Sequence, residues 1–284
     1  AKCLAPNFAA FINFSSDHLQ RHGGLGGYFY AKARLFLENL TDMSVINIDT
    51  AEGLFLYQRL KSSENKMIAV SSKLDVKDYL WAVGLKGYFI TEWKKGRQVY
   101  SYDLRDLGNS FFSLRESLLT VYALGRSFGI APKSILTKCD GFMPLAHRNQ
   151  LVDVIGGIAF INDSKATNVD ATIHALSTHK NVHLILGGRA KEDNFYQLKD
   201  SMKNISRIYL IGESALLIAS SLEGHEAEQF DTLNNAFYSA INIARDGDTI
   251  LFSPACASFD QYLNFEERGE HFVSLVEEYR KNII

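Results

Sequence analysis

The chain has 284 residues, 46% hydrophobic and 22% charged, the balance of a globular protein able to bury a sizeable core, and at roughly 100–200 residues per domain it predicts two domains. A formal net charge of −2 supplies no global field toward nucleic acid or a membrane surface, although 30 Lys and Arg leave room for a locally basic cleft. The three cysteines, Cys3, Cys139 and Cys256, are far apart and form no C-x-x-C, which argues against a zinc knuckle or a disulfide framework and fits a reducing cytosol.

No apolar run approaches the ~20 residues of a membrane span, and no signal peptide is visible. The chain opens on Ala1, directly ahead of a strand-like segment, which reads as a sign of truncation or processing. Phe8–Asn13 predicts a buried strand. Gly23, Gly24, Gly26 and Gly27 predict a loop, and Tyr28–Leu40 has helical apolar spacing. A short strand at Val45–Ile48, a helix at Ala51–Leu60 and a strand at Met67–Val70 follow. Tyr79–Tyr102 is rich in aromatic and β-branched residues around a Lys95-Gly96 turn, which predicts antiparallel hairpins. Asn109–Phe128 predicts a long amphipathic helix with Asn109 or Ser110 as its N-cap. The pattern breaks at Gly141-Phe142-Met143-Pro144, so the expected domains are 1–144 and 145–284.

The second half alternates. Strands are expected at Ile158–Ile161, Val182–Leu186, Arg207–Ile211 and Thr249–Phe252. Helices are expected at Asn168–Leu176, Phe195–Met202, Ser214–Ser221, Leu233–Ala244 and Phe265–Lys281. Such alternation implies a parallel sheet covered on both faces, with ligands bound at the carboxyl ends of its strands. Three strands end there in chemically suggestive loops.

The first loop is Asn162-Asp163-Ser164-Lys165-Ala166-Thr167-Asn168. Asp163 suits a ribose or a positioned cation, Lys165 brings a point charge to phosphate, and Thr167 with the N–H groups of the next helix suits an anion. A capped turn with solvated charges fits the same string. The second is Gly187-Gly188-Arg189-Ala190-Lys191, whose glycines admit close backbone approach and whose Lys191 can pair with a carboxylate; a tight turn with an exposed lysine also accounts for it. The third is Ser253-Pro254-Ala255-Cys256-Ala257-Ser258, continuing to Gln261 and Phe265. Its small residues leave room for a ligand, and Ser258, at the start of an expected helix, can donate to a carboxylate. Cys256 has no adjacent basic partner and reads as packing.

In the first half, Asp17-His18 fits either a metal ligand with its orienting carboxylate or a capped turn. Lys32, among Tyr30, Leu35 and Phe36, reads as a snorkelling lysine. His22, His147 and His183 carry no assigned role. Arg148 at the domain boundary reads either as a phosphate contact or as a surface ion pair.

Taken together, these segments resemble the Mur ligases. The resemblance rests on Asn162-Asp-Ser-Lys-Ala-Thr-Asn168 and on Ser253-Pro-Ala-Cys-Ala-Ser258 followed by Asp260-Gln261, Asn264-Phe265-Glu266 and Arg268-Gly269. His147-Arg148 precede them and Gly187-Gly188 with Lys191 lie between, in the family's order; Asp17-His18, Tyr30-Ala31-Lys32 and Val45–Asp49 resemble pieces of its central domain. The resemblance is closest to the branch that adds D-glutamate to UDP-N-acetylmuramoyl-L-alanine.

It implies an α/β fold: the remainder of a P-loop-type ATPase central domain with antiparallel hairpins over 1–144, and a C-terminal Rossmann-like parallel α/β domain that binds the amino acid over 145–284. It also implies ATP and Mg²⁺, an acyl-phosphate route to the amide, and a monomer in the cytoplasm serving peptidoglycan synthesis without nucleic acid or membrane as partner. By the same resemblance His18 binds Mg²⁺, and Lys32 is carbamylated into an anionic metal ligand. Asn109 and Arg148 contact ATP, Asp163 its ribose, and Lys165 the phosphates or substrate. Thr167, Lys191, Ser258 and the backbone around Phe265 hold D-glutamate.

Three departures stand out. No G-x-x-x-x-G-K-[ST] occurs, so the phosphate cradle and the uridine-binding domain are expected to lie outside this chain, leaving it inactive alone. Gln20 stands where relatives often carry aspartate. The family's Gly-x-His-Asn-x-x-Asn reads Asp106-Leu107-Gly108-Asn109-Ser110-Phe111-Phe112. Two alternatives remain open: another Mur-type or folylpolyglutamate-type ligase, and a non-catalytic Mur-ligase-like partner. A nicotinamide-dependent dehydrogenase is disfavoured, because no G-x-G-x-x-G follows a strand in the second half.

Overall fold

The computed structural model describes residues 6–15, 19–38, 41–61, 66–107, 115–140, 142 and 145–283. Two compact units divide the chain, Ala1–Met143 and Pro144–Ile284.

The first unit holds a six-stranded sheet in the order β1-β2-β3-β4-β5-β6. Its strands are β1 (Phe8–Phe11), β2 (Met43–Asn47), β3 (Lys66–Ser71), β4 (Trp81–Lys86), β5 (Phe89–Lys94) and β6 (Arg97–Asp103). The first four are parallel; β5 and β6 add two antiparallel hairpins. The predicted turn between β5 and β6 is present: Lys95 and Gly96 both have positive φ, 49° and 75°, the conformation a tight hairpin needs to match strand twist.

Helices α1 (Leu19–His22), α2 (Leu25–Leu37), α3 (Ala51–Leu60), α4 (Arg115–Ser127) and α5 (Pro132–Cys139) cover this sheet. Strand side chains alternate between its faces. Met43, Val45, Ile68, Val70 and Val83 pack on Leu118, Leu119 and Tyr122 of α4 and on Leu136 of α5. Phe11, Ile46, Ile48 and Ala69 pack on Phe36 of α2 and on Leu56 and Tyr57 of α3.

The glycine-rich stretch, expected to be a loop throughout, is a loop only in part. Gly26 and Gly27 lie inside the first turn of α2, and a Cβ on Gly27 would fall 2.0 Å from the His22 carbonyl oxygen. Glycine therefore serves close helix–helix contact there. Helix α5 was not expected; Pro132 opens it at its first turn, where a missing N–H costs nothing.

A buried carboxylate ties the hairpins to α4. The Glu92 side chain is 0% exposed. It accepts from Trp81 Nε1 at 3.0 Å, Tyr122 OH at 2.8 Å and Arg126 Nε at 2.8 Å. Burial by itself raises its pKa, but these donors together outweigh burial and hold the carboxyl below its usual range. Glu92→Ala leaves Arg126 and Tyr122 without their acceptor, at an expected cost of about 3 kcal/mol. Both tryptophans, Trp81 and Trp93, lie in this unit, so their fluorescence in a urea titration reads that loss directly; an unchanged midpoint would show that the network contributes nothing.

The second unit is a sheet in the order β11-β10-β9-β12-β8-β7. Its strands are β7 (Gln150–Ile155), β8 (Ile158–Asn162), β9 (Val182–Gly187), β10 (Ile205–Ile211), β11 (Ala227–Gln229) and β12 (Thr249–Phe252). Strands β8 to β12 pair in parallel, as expected, while β7 is an antiparallel edge strand joined to β8 through Gly156 and Gly157. Two strands escaped the sequence reading. The exposed Leu151 and Val154 give β7 no clean buried face, and β11 has only 3 residues.

Helices α6 (Val169–Leu176) and α7 (Ala215–Ser221) pack on one face with a 3₁₀ segment at Phe195–Asn204, where an α-helix was expected. Helices α8 (Leu233–Ile243) and α9 (Phe265–Ile283) pack on the other. The connections that leave β8, β9 and β10 thus pass over one face, whereas the elements before and after β12 pass over the opposite one. The carboxyl end of β12, where those directions diverge, is where a sheet of this topology is expected to receive a ligand.

Candidate ligand site at the carboxyl ends of the second sheet

Three loops meet at this end of the sheet because the strands beneath them are in register. Phe252 pairs with Asn162 on one side and with Ile185 on the other. The loop after β8 therefore starts level with the end of β12. Asp163 N donates to Phe252 O at 2.8 Å, and Gly187 N donates to Pro254 O at 2.9 Å. Arg189 and Ala257 exchange two backbone hydrogen bonds of 2.9 Å, a one-pair bridge between the loops after β9 and β12.

Asp163 is 8% exposed. Its carboxylate accepts from Asn149 N at 3.0 Å and Ser253 Oγ at 2.7 Å. Burial raises its pKa from the usual 3.8 to about 6, against the opposing pull of those two donors. The preceding segment is clamped to the same loop. Lys165 N donates to His147 O at 3.0 Å, and the His147 ring nitrogen lies 3.0 Å from Asn162 Nδ2. Both His147 and Asn149 have positive φ, which holds the intervening Arg148 at the surface.

Lys165 projects from this loop across the first residue of α9. Its Nζ sits 3.7 Å from the centroid of the Phe265 ring, a cation–π contact worth about 0.5–1 kcal/mol on a part-exposed ring. On the same rim Lys191 Nζ lies 3.4 Å from Thr167 Oγ1, which joins the loops after β9 and β8. Ser258 is 3% exposed and opens a single hydrogen-bonded turn to Gln261 and Tyr262. That turn is all that forms of the helix expected to start at Ser258, while the next helix begins at Phe265 as expected.

Asp163, Lys165, Thr167, Lys191, Ser258 and Phe265 thus belong to three loops held together by direct bonds. Lys32 lies in the other unit, with its Nζ 4.7 Å from the Tyr28 ring and 5.9 Å from the Phe14 ring. His18, Asp17, Asn109 and Ser110, together with the altered string 108–112, lie outside the described residues, as does the Gln20 side chain.

Sequence reasoning gave no role to the residue that binds these loops together. Arg268 is 1% exposed. Its Nε donates to Ser164 Oγ at 3.0 Å, and its Nη2 donates to Ser164 O at 2.8 Å and Cys256 O at 3.1 Å. Ser164 Oγ in turn donates to Phe265 O at 2.8 Å. The remaining nitrogen, Nη1, is buried without a hydrogen-bond partner and lies 3.2 Å from where a Cβ on Gly188 would sit. Glycine at 188, with φ 135°, is what lets the β9 loop approach the Ala257 carbonyl, which would lie 2.5 Å from a Cβ. Burial lowers the Arg268 pKa to about 10, so it remains a cation at neutral pH. The signal was present in the sequence: Arg268 lies on the same helical stripe as Phe272, Leu275 and Val276, all buried.

This fold and rim have known relatives. A family model described as "Mur ligase, glutamate ligase domain" matches residues 147–256, and one described as "Mur ligase middle domain" matches residues 1–97. The chain belongs to the Mur ligase family and carries its middle and glutamate-ligase domains. The UDP-N-acetylmuramoylalanine–D-glutamate ligase of Cereibacter sphaeroides strain KD131 is 40% identical over 279 residues, which are 97% of this chain and 60% of that protein. The chain therefore spans about 60% of the length of the curated relatives it matches. At fold level, the UDP-N-acetylmuramate-alanine ligase of Thermotoga maritima aligns with TM-score 0.65 at 17% identity, over 98% of this chain and 60% of that one. A bifunctional folylpolyglutamate synthase/dihydrofolate synthase of Yersinia pestis, solved with AMPPNP and a Mn ion, aligns with TM-score 0.63 at 15% identity, over 95% and 61%.

Two outcomes are expected from this geometry. Arg268→Met leaves the Ser164 and Cys256 carbonyls unpaired, which costs about 2 kcal/mol and speeds hydrogen exchange at Lys165 and Ala257; unchanged exchange would show that the rim does not depend on the guanidinium. Asp163 ionises less readily folded than unfolded, so the folded state binds more protons between about pH 4 and pH 6 and loses stability as pH rises through that window. The shift to about 6 corresponds to about 3 kcal/mol. Asp163→Asn should flatten that slope in the exchange of β8 amides.

Proposed function

We propose that this chain is the amino-acid-binding part, with a portion of the nucleotide-binding part, of an ATP-dependent ligase that joins D-glutamate to UDP-N-acetylmuramoyl-L-alanine in cytoplasmic peptidoglycan synthesis. The observation that carries this reading is the pairing of a cation with a second group at two places on one rim: Lys191 with Thr167, and Lys165 with Phe265. Glutamate is a dicarboxylate and needs a cationic or donor-rich contact at each end. Thr167, Lys191, Ser258 and the backbone at Phe265 hold it, with Lys165 directed at the reacting carboxyl.

Chemistry of this class brings a substrate carboxylate against the γ-phosphate of ATP, and then the glutamate amine against the resulting acyl phosphate. Two anions meet in the first step, so fixed positive charge lowers the barrier. Lys165 supplies it from this unit, Arg148 contacts the nucleotide, and Asp163 accepts from its ribose. Asn109 serves the nucleotide as well. The residues fit a nucleotide to this extent: a buried carboxylate, an exposed arginine and a lysine lie on the loop after β8 and the segment bonded to it.

Among the described residues no group of three His, Cys, Asp or Glu side chains is placed to hold a metal. His18 and a carbamylated Lys32 remain the proposed Mg²⁺ ligands. No helix among the described residues is long and apolar enough to cross a membrane. The working unit is proposed to be a monomer with no nucleic-acid partner.

Calorimetric titration of the 284-residue chain tests the reading. D-glutamate is expected to bind weakly and L-glutamate less well, and Lys191→Met is expected to cost about tenfold or more in affinity, as loss of a charge-assisted contact implies. Heat from neither enantiomer would overturn it. Because the sequence contains no G-x-x-x-x-G-K-[ST], the chain alone is expected to release no phosphate from ATP in the presence of both substrates.

A further inference from the structure

The Phe265 side chain holds Lys165 in one place. The ring is half-buried at the first turn of α9, and its own residue is fixed: the Phe265 carbonyl accepts from Ser164 Oγ, which is held in turn by the buried Arg268. On the other side, the His147 ring meets Phe265 edge-on, with centroids 6.4 Å apart and planes at 78°. The Lys165 backbone is tied to His147 O. Both ends of the Lys165–Phe265 contact are therefore fixed at the backbone through Ser164 and His147, and only the four-carbon stem between them is free to choose a rotamer.

We propose that Phe265 is the positioning residue for Lys165: its ring seats the ammonium so that the remaining N–H groups face an incoming carboxylate or phosphate oxygen. An ammonium has three donors. One directed into the ring face leaves the others for an anion, so the seat and the anion are held together rather than in competition. The ring provides attraction without a negative charge, and so does not neutralise the cation the anion requires. Without it, ordering a lysine stem on binding costs conformational entropy each time. Phe265 was expected to serve through its backbone alone; the ring adds a second, separable role. This inference rests on the glutamate-ligase reading only for the identity of the anion.

Proton NMR of the full chain reads the seat before any ligand is added. The Lys165 CεH₂ signals, assigned by their loss in Lys165→Arg, are expected upfield of ordinary lysine positions because they lie over the ring. Phe265→Leu should return them to the ordinary position, and Phe265→Tyr should keep the displacement. With D-glutamate, and separately with inorganic phosphate, the displacement should persist in the unmodified protein. Phe265→Leu should weaken binding of D-glutamate about two- to fivefold while Phe265→Tyr restores it.

Ordinary Lys165 positions in the unmodified protein, or equal affinity of the Leu variant with an unchanged amide spectrum, would overturn the seat. If Phe265→Leu does not fold, the unmodified and Tyr spectra still decide. Failure of the glutamate reading registers elsewhere, as an absence of perturbation at Lys191 and Ser258 on titration, and leaves the ligand-free ring-shift result standing.

Discussion

A positive charge buried beneath three loops is the constraint on which the rim depends. Moving a guanidinium out of water is costly unless hydrogen bonds replace the lost hydration. Arg268 recovers part of that cost from the Ser164 hydroxyl and the Ser164 and Cys256 carbonyls. Those acceptors lie on the loops after β8 and β12, so satisfying the cation and fixing the loops are one event. The loop after β9 then closes over it through Gly188, the residue type that both its φ and the Ala257 carbonyl, 2.5 Å from where a Cβ would sit, require. Ordering the rim is thus coupled to folding rather than left to the ligand, which is the condition for a preorganised binding site.

The polar groups above Arg268 follow from that frame. Asp163 is buried because Ser253 and Asn149 close around it, so one carboxylate ties the start of the unit to the loop after β12. Lys165 and Lys191 each leave the rim toward a defined partner, a ring in one case and a hydroxyl in the other. The first unit solves a similar problem with the opposite sign. Glu92 is buried at the hairpins and satisfied by three donors from β4 and α4, so in each unit a buried charge is bonded to the elements it holds together.

Much of the architecture was legible in order along the chain. Apolar spacing located Ala51–Leu60 and Thr249–Phe252 at the boundaries they have in the structure, because both elements alternate cleanly between buried and exposed or are buried throughout. Lys95-Gly96 announced its hairpin through backbone chemistry. The failures share a cause: β7 is half-exposed at an edge and β11 is very short, so neither presents a periodic signal. Gly26 and Gly27 read as loop because glycine lowers helix propensity, whereas close packing of α2 on α1 demanded glycine at 27.

For the site, the strings around Asp163, Lys165, Thr167, Lys191 and Ser258 were readable from residue type and from the rule that parallel strands present ligands at their carboxyl ends. Sequence by itself determined which chemistry is available and which strand delivers it, since those depend on local composition and periodicity. Tertiary structure alone decided how the loops are joined. The pairing of Arg189 with Ala257, the seating of Lys165 on Phe265 and the grip of Arg268 on Ser164 link residues 68, 100 and 104 positions apart. Contacts of that separation are set by sheet register and burial, and no local pattern encodes them.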